Sequence, residues 1–227
     1  MDSPRSAFLA GLRDQAPGVA GIVPFGLITG AAGSAAGLDP AISIAMSLLV
    51  FAGSAQLVAI QLMSEHAPAA LIVLAALVIN LRMVMYSAAV APFFARLSLR
   101  WKLLIAYLLT DHAFALLLAR FPTDDPTPHK EWYYLGAGSI LWLVWQVTLI
   151  IGVFVGVQVP ASWALDFAIP LIFIALVAPA LQTRSQLIAA VAASVASVFT
   201  SSMPLKTGLM AAALLGVVAG MMTEKRP

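Results

Sequence analysis

No cysteine occurs in the 227 residues of this chain, which excludes disulfides, thiolate metal ligands and cysteine nucleophiles. Charge is nearly as scarce. Asp, Glu, Lys and Arg together make up 10% of the sequence, against about 25% in an ordinary soluble domain. Short motifs of catalysis and nucleotide binding are missing too: there is no Walker sequence, HExxH, Gly-x-Ser-x-Gly or dinucleotide fingerprint. An ATP-driven machine is therefore excluded, the chain reads as no enzyme, and no cofactor or metal is expected. Twelve Lys+Arg against ten Asp+Glu leave a formal charge of +2 and a pI near 9.2. These charges are spread over the connections between apolar runs and form no basic stripe, so nucleic acid is not a partner.

What the chain has in abundance is apolar surface, with 62% hydrophobic residues and a mean hydropathy of +0.98. A helix crossing a bilayer needs about 20 mostly apolar residues, so this length suffices for roughly seven or eight passes. The expected fold is an all-α polytopic membrane protein. Apolar segments fall at 17–38, 40–63, 68–94, 103–121, 132–156, 164–181, 187–203 and 205–222, each bounded by charge, proline or a polar cluster. Residues 1–16 read as an amphipathic lead-in lying on the membrane surface, 17–222 as one transmembrane domain, and 223–227 as a tail. A signal peptide ending at Ala32-Gly33-Ser34-Ala35 is the competing reading. It is disfavoured because the run is long, contains Pro24 and leads at once into further segments. The polar stretch Pro122 to Glu131 (PTDDPTPHKE) is the best internal boundary, separating candidate halves 17–121 and 132–222. Trp132, Tyr133 and Tyr134 after it suit an interfacial aromatic belt.

Two features complicate a simple serial arrangement. With eight passes and an internal N-terminus, Arg5, Arg13, Arg120, Lys130, Arg184, Lys225 and Arg226 face the cytoplasm, but Arg96, Arg100, Lys102 and Lys206 fall outside. The cluster Arg96 to Lys102 has the composition of a cytoplasmic loop, so an early segment that is re-entrant or broken would restore the parity. There is also a faint repeat. Leu38-Asp39-Pro-Ala41-Ile42 resembles Leu165-Asp166-Phe-Ala168-Ile169, and each block follows a small-residue pair, Gly26/Gly30 or Gly152/Gly156. Weak internal symmetry of this kind is common in secondary transporters.

In a membrane the polar residues carry the information, because a charge at mid-bilayer costs about 2.5–3.5 kcal/mol on insertion scales. Three sites stand out. Pro24-Phe25-Gly26 lies mid-way through the first segment, where a proline removes a helix hydrogen bond. Its glycines, continued by Gly30, Gly33 and Gly37, permit either a broken helix facing a cavity or close helix packing. Ala52-Gly53-Ser54-Ala55-Gln56 interrupts the second segment in the same way, and the amide of Gln56 needs partners there. Two successive segments with central breaks point to a transporter's binding site. The third site is ionisable: Asn80 and Arg82 in the third segment, with Tyr86 one turn on, and Thr110-Asp111-His112 in the fourth. Arg82 and Asp111 sit at matching depths and are expected to pair. Together they offer a cation for a solute's carboxylate and an anion for its ammonium, or a proton carrier in Asp111.

Weaker candidates are His112, Asp166 at a helix start, Trp145-Gln146, and Ser194, Ser197, Thr200, Ser201 and Ser202. Pro170 and Pro179 are expected to kink the sixth segment. An intramembrane serine protease using Ser54 or Ser87 with His112, an uncoupled channel and a transport-free interaction subunit are the alternatives to a transporter.

Gly11-Leu12-Arg13, Pro24-Phe25-Gly26, Phe51-Ala52-Gly53-Ser54-Ala55-Gln56, Asn80-Leu81-Arg82 with Tyr86 and Pro92, Thr110-Asp111 and Leu165-Asp166-Phe167 follow one another in a distinctive order. In this the chain resembles the large subunit of the branched-chain amino acid exporters, the AzlC-like permeases of bacteria, over residues 5–222. The resemblance implies proton-driven export of leucine, isoleucine, valine and sometimes methionine from a bacterial inner membrane. It also implies a small AzlD-like membrane subunit as partner. The polar sites read above make Pro24, Phe25, Gly26, Ala52, Gly53, Ser54, Gln56, Asn80, Arg82 and Tyr86 the expected substrate contacts and Asp111 the expected proton carrier. Members of the family have an Asp-Glu pair where this chain has Asp111-His112, so the second acid is absent here.

Overall fold

The structure, a computed structural model, describes residues 3–122, 127–158, 181, 183–200 and 207–223. The described residues are helical, with no strand among them. The helices are α1 (Pro4–Ala35), α2 (Pro40–Leu49), α3 (Gly53–Ser64), α4 (Ala69–Phe94), α5 (Leu99–Tyr107), α6 (Asp111–Arg120), α7 (Lys130–Gln158), α8 (Arg184–Thr200) and α9 (Thr207–Thr223). They belong to two compact units. The first comprises residues 1–61 and 76–160, the second 62–75 and 161–227.

The first unit is built on α1 and α7. α1 starts with a capping box between Ser3 and Ser6 and continues unbroken through Pro17 and Pro24. The expected lead-in is thus the first turns of α1, and the expected break at Pro24 does not occur. Pro24 stands on the exposed side of the helix, while Gly11, Gly26 and Gly30 face α7 from the other side. A Cβ placed on Gly30 would lie 2.1 Å from the Leu149 carbonyl oxygen, and one on Gly152 would lie 2.0 Å from that of Leu27. The same backbone-to-backbone approach recurs where Gly11 meets Tyr133 and Gly136 meets Phe8. Partner positions rise together along both chains, so α1 and α7 run parallel. The small residues serve close helix packing, the plainer of the two readings of Gly26 and Gly30. Gly37, at φ +72° after the last turn, closes α1 in the left-handed conformation that glycine adopts without strain.

Two helix pairs enter this scaffold from opposite ends without crossing it. α2 starts at Asp39, whose side chain caps Ala41 N–H at 2.7 Å, and stops at Val50. α3 begins at Gly53 and turns back. Near the finish of α1, a Cβ on Gly33 would be 2.5 Å from Ser43 Oγ at the start of α2 and 3.8 Å from Ile60 Cδ1 near the end of α3. Both arms of this hairpin therefore reach the same end. α5 and α6 form the second hairpin, bent by 117° at Leu108-Leu109-Thr110. Both of its ends lie where α7 begins: Trp101 is 5.1 Å from Trp132, and Phe121 is 5.1 Å from Tyr133, between ring centroids.

α4 also finishes at this end, with Phe94 5.5 Å from Tyr134 and the Lys130 ammonium 5.3 Å from the Phe93 ring. The end where α1 and α7 begin therefore gathers Arg5, Arg13, Arg96, Arg100, Lys102, Arg120 and Lys130. Between residues 5 and 130 only Arg82 among Lys and Arg lies elsewhere. The serial count that left Arg96, Arg100 and Lys102 on the far side is corrected by the hairpins.

The expected count of seven or eight spans is met only in part. Among the described residues, Pro4–Ala35, Ala69–Phe94 and Lys130–Gly156 are long and apolar enough to cross a membrane, or four spans if the bent α5–α6 pair counts as one. The expected segments 40–63 and 103–121 are the two hairpins, and a break in the fourth segment replaces the one expected in the first. Segments 187–203 and 205–222 correspond to α8 and α9. In the second unit these pack as an antiparallel pair, Gly216 against Ala193 and Ser185 Oγ donating to Thr223 O at 3.2 Å. Apart from residue 181, segment 164–181, with Asp166, Pro170, Pro179 and the second repeat block, lies outside the described residues, as do Ser201, Ser202, Lys206, Lys225 and Arg226.

Candidate functional site

The two hairpins meet tip to tip. The first turn of α3 presents Ser54. The first turn of α6 presents Asp111, after Thr110 has capped the helix by accepting from Ala113 N–H at 3.2 Å. Arg82, mid-way along α4, joins the two tips. Its Nη1 lies 2.5 Å from Asp111 Oδ2, and its Nη2 donates to Ser54 Oγ at 2.8 Å. The side chains of Arg82 and Asp111 are 33% and 43% exposed, so the pair borders an accessible space.

The electrostatics here are uneven. A helix N-terminus carries about half a positive charge. α6 offsets its own with Asp111, but α3 has no acid in its first turn. Two helix starts and a guanidinium thus converge on one carboxylate. Asp111 Oδ1, Arg82 Nε and Asn80 Oδ1 are closed to solvent and have no hydrogen-bond partner among the described residues. The site has an excess of donors over anions, suited to a carboxylate, beside a carboxylate acceptor suited to an ammonium.

An aromatic group lies on the other side of Gly53. Trp145 on α7 packs edge-on to Phe25 of α1 at 5.2 Å and lies 6.4 Å from Phe51 at the first tip. Its indole donates to Ser47 Oγ at 2.8 Å, and Ser47 Oγ donates to Gln146 Oε1 at 3.1 Å. Gln146 Nε2 donates to Ser47 O at 3.3 Å, and Gln56 Nε2 to Ser43 O at 2.9 Å. The Ser47 carbonyl near the interrupted end of α2 is thus satisfied by a side chain, as a break in an apolar medium demands.

The expected residues therefore divide. Ser54, Arg82 and Asp111 are in direct contact, and Phe25 and Gly53 gather around Trp145. Ala52 is buried at the first tip, and Gln56 one turn further braces α2. Tyr86 stacks on Phe114 of α6 at 4.3 Å, next to the ion pair in sequence and on the same two helices. Pro24 and Gly26 belong elsewhere: Pro24 faces outward, and a Cβ on Gly26 would meet Thr148 Oγ1 at 2.1 Å. Asn80 lies two residues from Arg82, a spacing that does not share a helix face. His112 is exposed, and Ser54 takes its hydrogen bond from a guanidinium rather than a histidine. Ser194 Oγ donates to Ala190 O within its own helix, and Thr200 Oγ1 lies 2.8 Å from Ala196 O and 2.9 Å from Gly208 O. Among the described residues no group of three or more His, Asp or Glu is placed to hold a metal ion.

Tyr107 escaped the sequence reading. It is the last residue of α5; its hydroxyl donates to Leu48 O at 2.7 Å and accepts from Trp142 Nε1 at 2.9 Å, tying one tip to the other. Its place three residues before Thr110-Asp111 was the available signal.

The family model of the AzlC protein matches residues 17–159, which contain both hairpins and the Arg82 site. The chain belongs to the AzlC family. An inner membrane protein, YgaZ of Escherichia coli strain K12, is 26% identical over 230 residues, covering 97% of this chain and 91% of the relative. An uncharacterized membrane protein of Archaeoglobus fulgidus is 28% identical over 218 residues, 94% of each. A shorter match, 35% identical over 89 residues, links 39% of this chain to 38% of an uncharacterized membrane protein of Helicobacter pylori strain 26695. No solved structure matches. With its apolar helices and these relatives, this AzlC-family chain is an integral membrane protein.

Proposed function

We propose that this protein is a proton-coupled secondary transporter exporting branched-chain amino acids. Leucine, isoleucine and valine are the expected substrates, with methionine a further candidate, and the membrane is the bacterial cytoplasmic membrane. It would act as the large subunit of a two-component permease, with a small AzlD-like membrane protein as partner. The observation that carries the transport reading is the bridge of Arg82 to Ser54 and Asp111 where two hairpins from opposite ends meet. Helices interrupted at mid-membrane, with their starts aimed at an anionic solute group, are a recurrent way of building a transporter site. Arg82 and the start of α3 would take the carboxylate, Asp111 the ammonium or the coupling proton, and the Phe25–Phe51–Trp145 cluster flanks the aliphatic side chain. The amino acid class and the direction of transport rest on the family resemblance. The basic end of the first unit faces the cytoplasm on the positive-inside rule.

Counterflow of labelled leucine in proteoliposomes tests the proposal. Accumulation against a gradient only when a pH difference is imposed is the expected result. Downhill flux at the same rate without that difference replaces coupled transport with a channel. Co-purification of a co-expressed AzlD-like subunit tests the two-component arrangement.

A further inference from the structure

Between α4 and α5 lies a cavity of about 380 Å³ that the Arg82 site does not include. Its walls include Ser87, Val90, Phe94, Lys102, Ile105 and Leu109. Val90, Phe94, Ile105 and Leu109 are 4–7% exposed and form a floor that belongs to the buried core, while Ser87, Ala91, Lys102 and Ala106 are exposed, so the cavity is a groove open along one side. One end is basic: Lys102 follows Trp101, which packs on Trp132, and Arg96 and Arg100 are near in sequence. The other end is Leu109, at the bend of the second hairpin and beside Thr110 and Asp111. Along α4, Ser87 is five residues from Arg82 toward the basic end, about 7 Å at helical rise.

We propose that this cavity is the vestibule through which the amino acid enters from the basic end on its way to Arg82. The inference rests on the transport reading of the Arg82 site and extends it to the route of access. Lys102 at the mouth attracts the carboxylate, a steering effect that apolar walls focus. Val90, Ile105 and Leu109 accept an aliphatic side chain and offer nothing to a charged one. Pockets that bind small molecules have this make-up, apolar walls with few polar groups. The occupant is the amino acid rather than an acyl chain, because the cavity has a charged mouth and ends at Ser87 and Leu109, on the two elements that carry Arg82 and lead into Asp111.

The absence of cysteine makes the test direct. Ala106→Cys, on the α5 wall, is assayed in membrane vesicles of both orientations with a membrane-impermeant methanethiosulfonate. Reaction is expected only from the face bearing Lys102, slowed at least threefold by saturating leucine but not by glutamate, and modification is expected to cut leucine flux at least tenfold. Ala91→Cys, on the α4 wall, repeats the measurement if the first variant fails to insert. Reaction with a membrane-permeable maleimide alone identifies a lipid-filled groove and overturns the vestibule, as does labelling without leucine protection in protein that transports leucine. Absence of leucine flux in unlabelled wild-type protein overturns the transport reading instead, and that flux is measured before any reagent is added.

Discussion

Arg82 and Asp111, on different helices and 29 residues apart, meet at 2.5 Å, and the same guanidinium also holds Ser54 at 2.8 Å. Three elements thus depend on one side chain. The pair is a third to two-fifths open, so water screens it and its share of fold stability is about 0–1 kcal/mol. Arg82→Ala and Asp111→Asn should accordingly insert at near wild-type levels while leucine transport falls by about 100-fold, equivalent to roughly 2.7 kcal/mol of lost barrier stabilisation. Flux and membrane content measured on one preparation check this. Wild-type flux in both variants would remove the pair from the transport path.

Gly53 has almost no room. A Cβ there would sit 2.3 Å from the Trp145 ring and 3.0 Å from that of Phe25. Trp145 is held by Ser47 and cannot swing aside without losing that bond. Gly53→Ala should therefore slow transport several-fold and Gly53→Leu should abolish it. Trp145→Phe in the Gly53→Ala background should recover part of the rate by making space. Failure of that rescue in initial-rate uptake assays would mean that Gly53 acts through backbone freedom rather than clearance.

The α1–α7 seam separates packing glycines from idle ones. Gly30→Val forces a side chain into the Leu149 carbonyl, and overpacking of this kind costs about 1–3 kcal/mol or more. Gly21 has nothing within 4 Å of its added carbon, and Gly→Ala in a helix interior is worth up to about 1 kcal/mol in the favourable direction. Thermal aggregation of detergent-solubilised protein should place Gly30→Val well below wild type and Gly21→Ala at or above it.

The composition reveals the membrane class, and Arg82 and Asp111 are conspicuous as charges in apolar segments. The location of the breaks was harder to read. Pro24 with Gly26 looks like an interruption, yet its ring faces outward and the glycines are consumed by α7, a partner more than 100 residues away that local sequence does not reveal. The true second break passes through Leu108 and Leu109, two residues with no turn signal, and only Thr110-Asp111 betrays it as a helix start. A short apolar segment that turns back has the same composition as one that crosses, so the hairpins emerge only from which aromatics meet at the ends.

That arrangement has its own consequence for sidedness. Residues 98 and 128 lie at the end where α1 and α7 begin, while Gly37 closes α1 at the other. In the cysteine-free chain, Ser98→Cys and Pro128→Cys should both react with an impermeant thiol reagent from the cytoplasmic face, and Gly37→Cys from the outer face. Labelling of Ser98→Cys from the outside would restore a serial topology in which both hairpins cross.

Tyr107 links the tips at their carbonyl-bearing ends as Arg82 does at their amide-bearing ends. Its hydroxyl uses its donor on Leu48 O and a lone pair on Trp142 Nε1. The side chain is 37% exposed, so these two bonds rather than close packing hold it. Trp142 stands on α7, which the glycine seam fixes to α1, making the indole the anchor and the phenol the moving part. A solute passing between the tips must break this link, and water can then satisfy the freed Leu48 carbonyl. Tyr107→Phe should therefore loosen the closed arrangement without touching the charged site. Leucine leak in the absence of a pH difference should rise about fivefold, a change of roughly 1 kcal/mol and the usual net worth of one hydrogen bond, while the half-saturating leucine concentration in counterflow stays within about twofold of wild type. A changed half-saturation with no added leak would make Tyr107 a substrate contact instead of a latch.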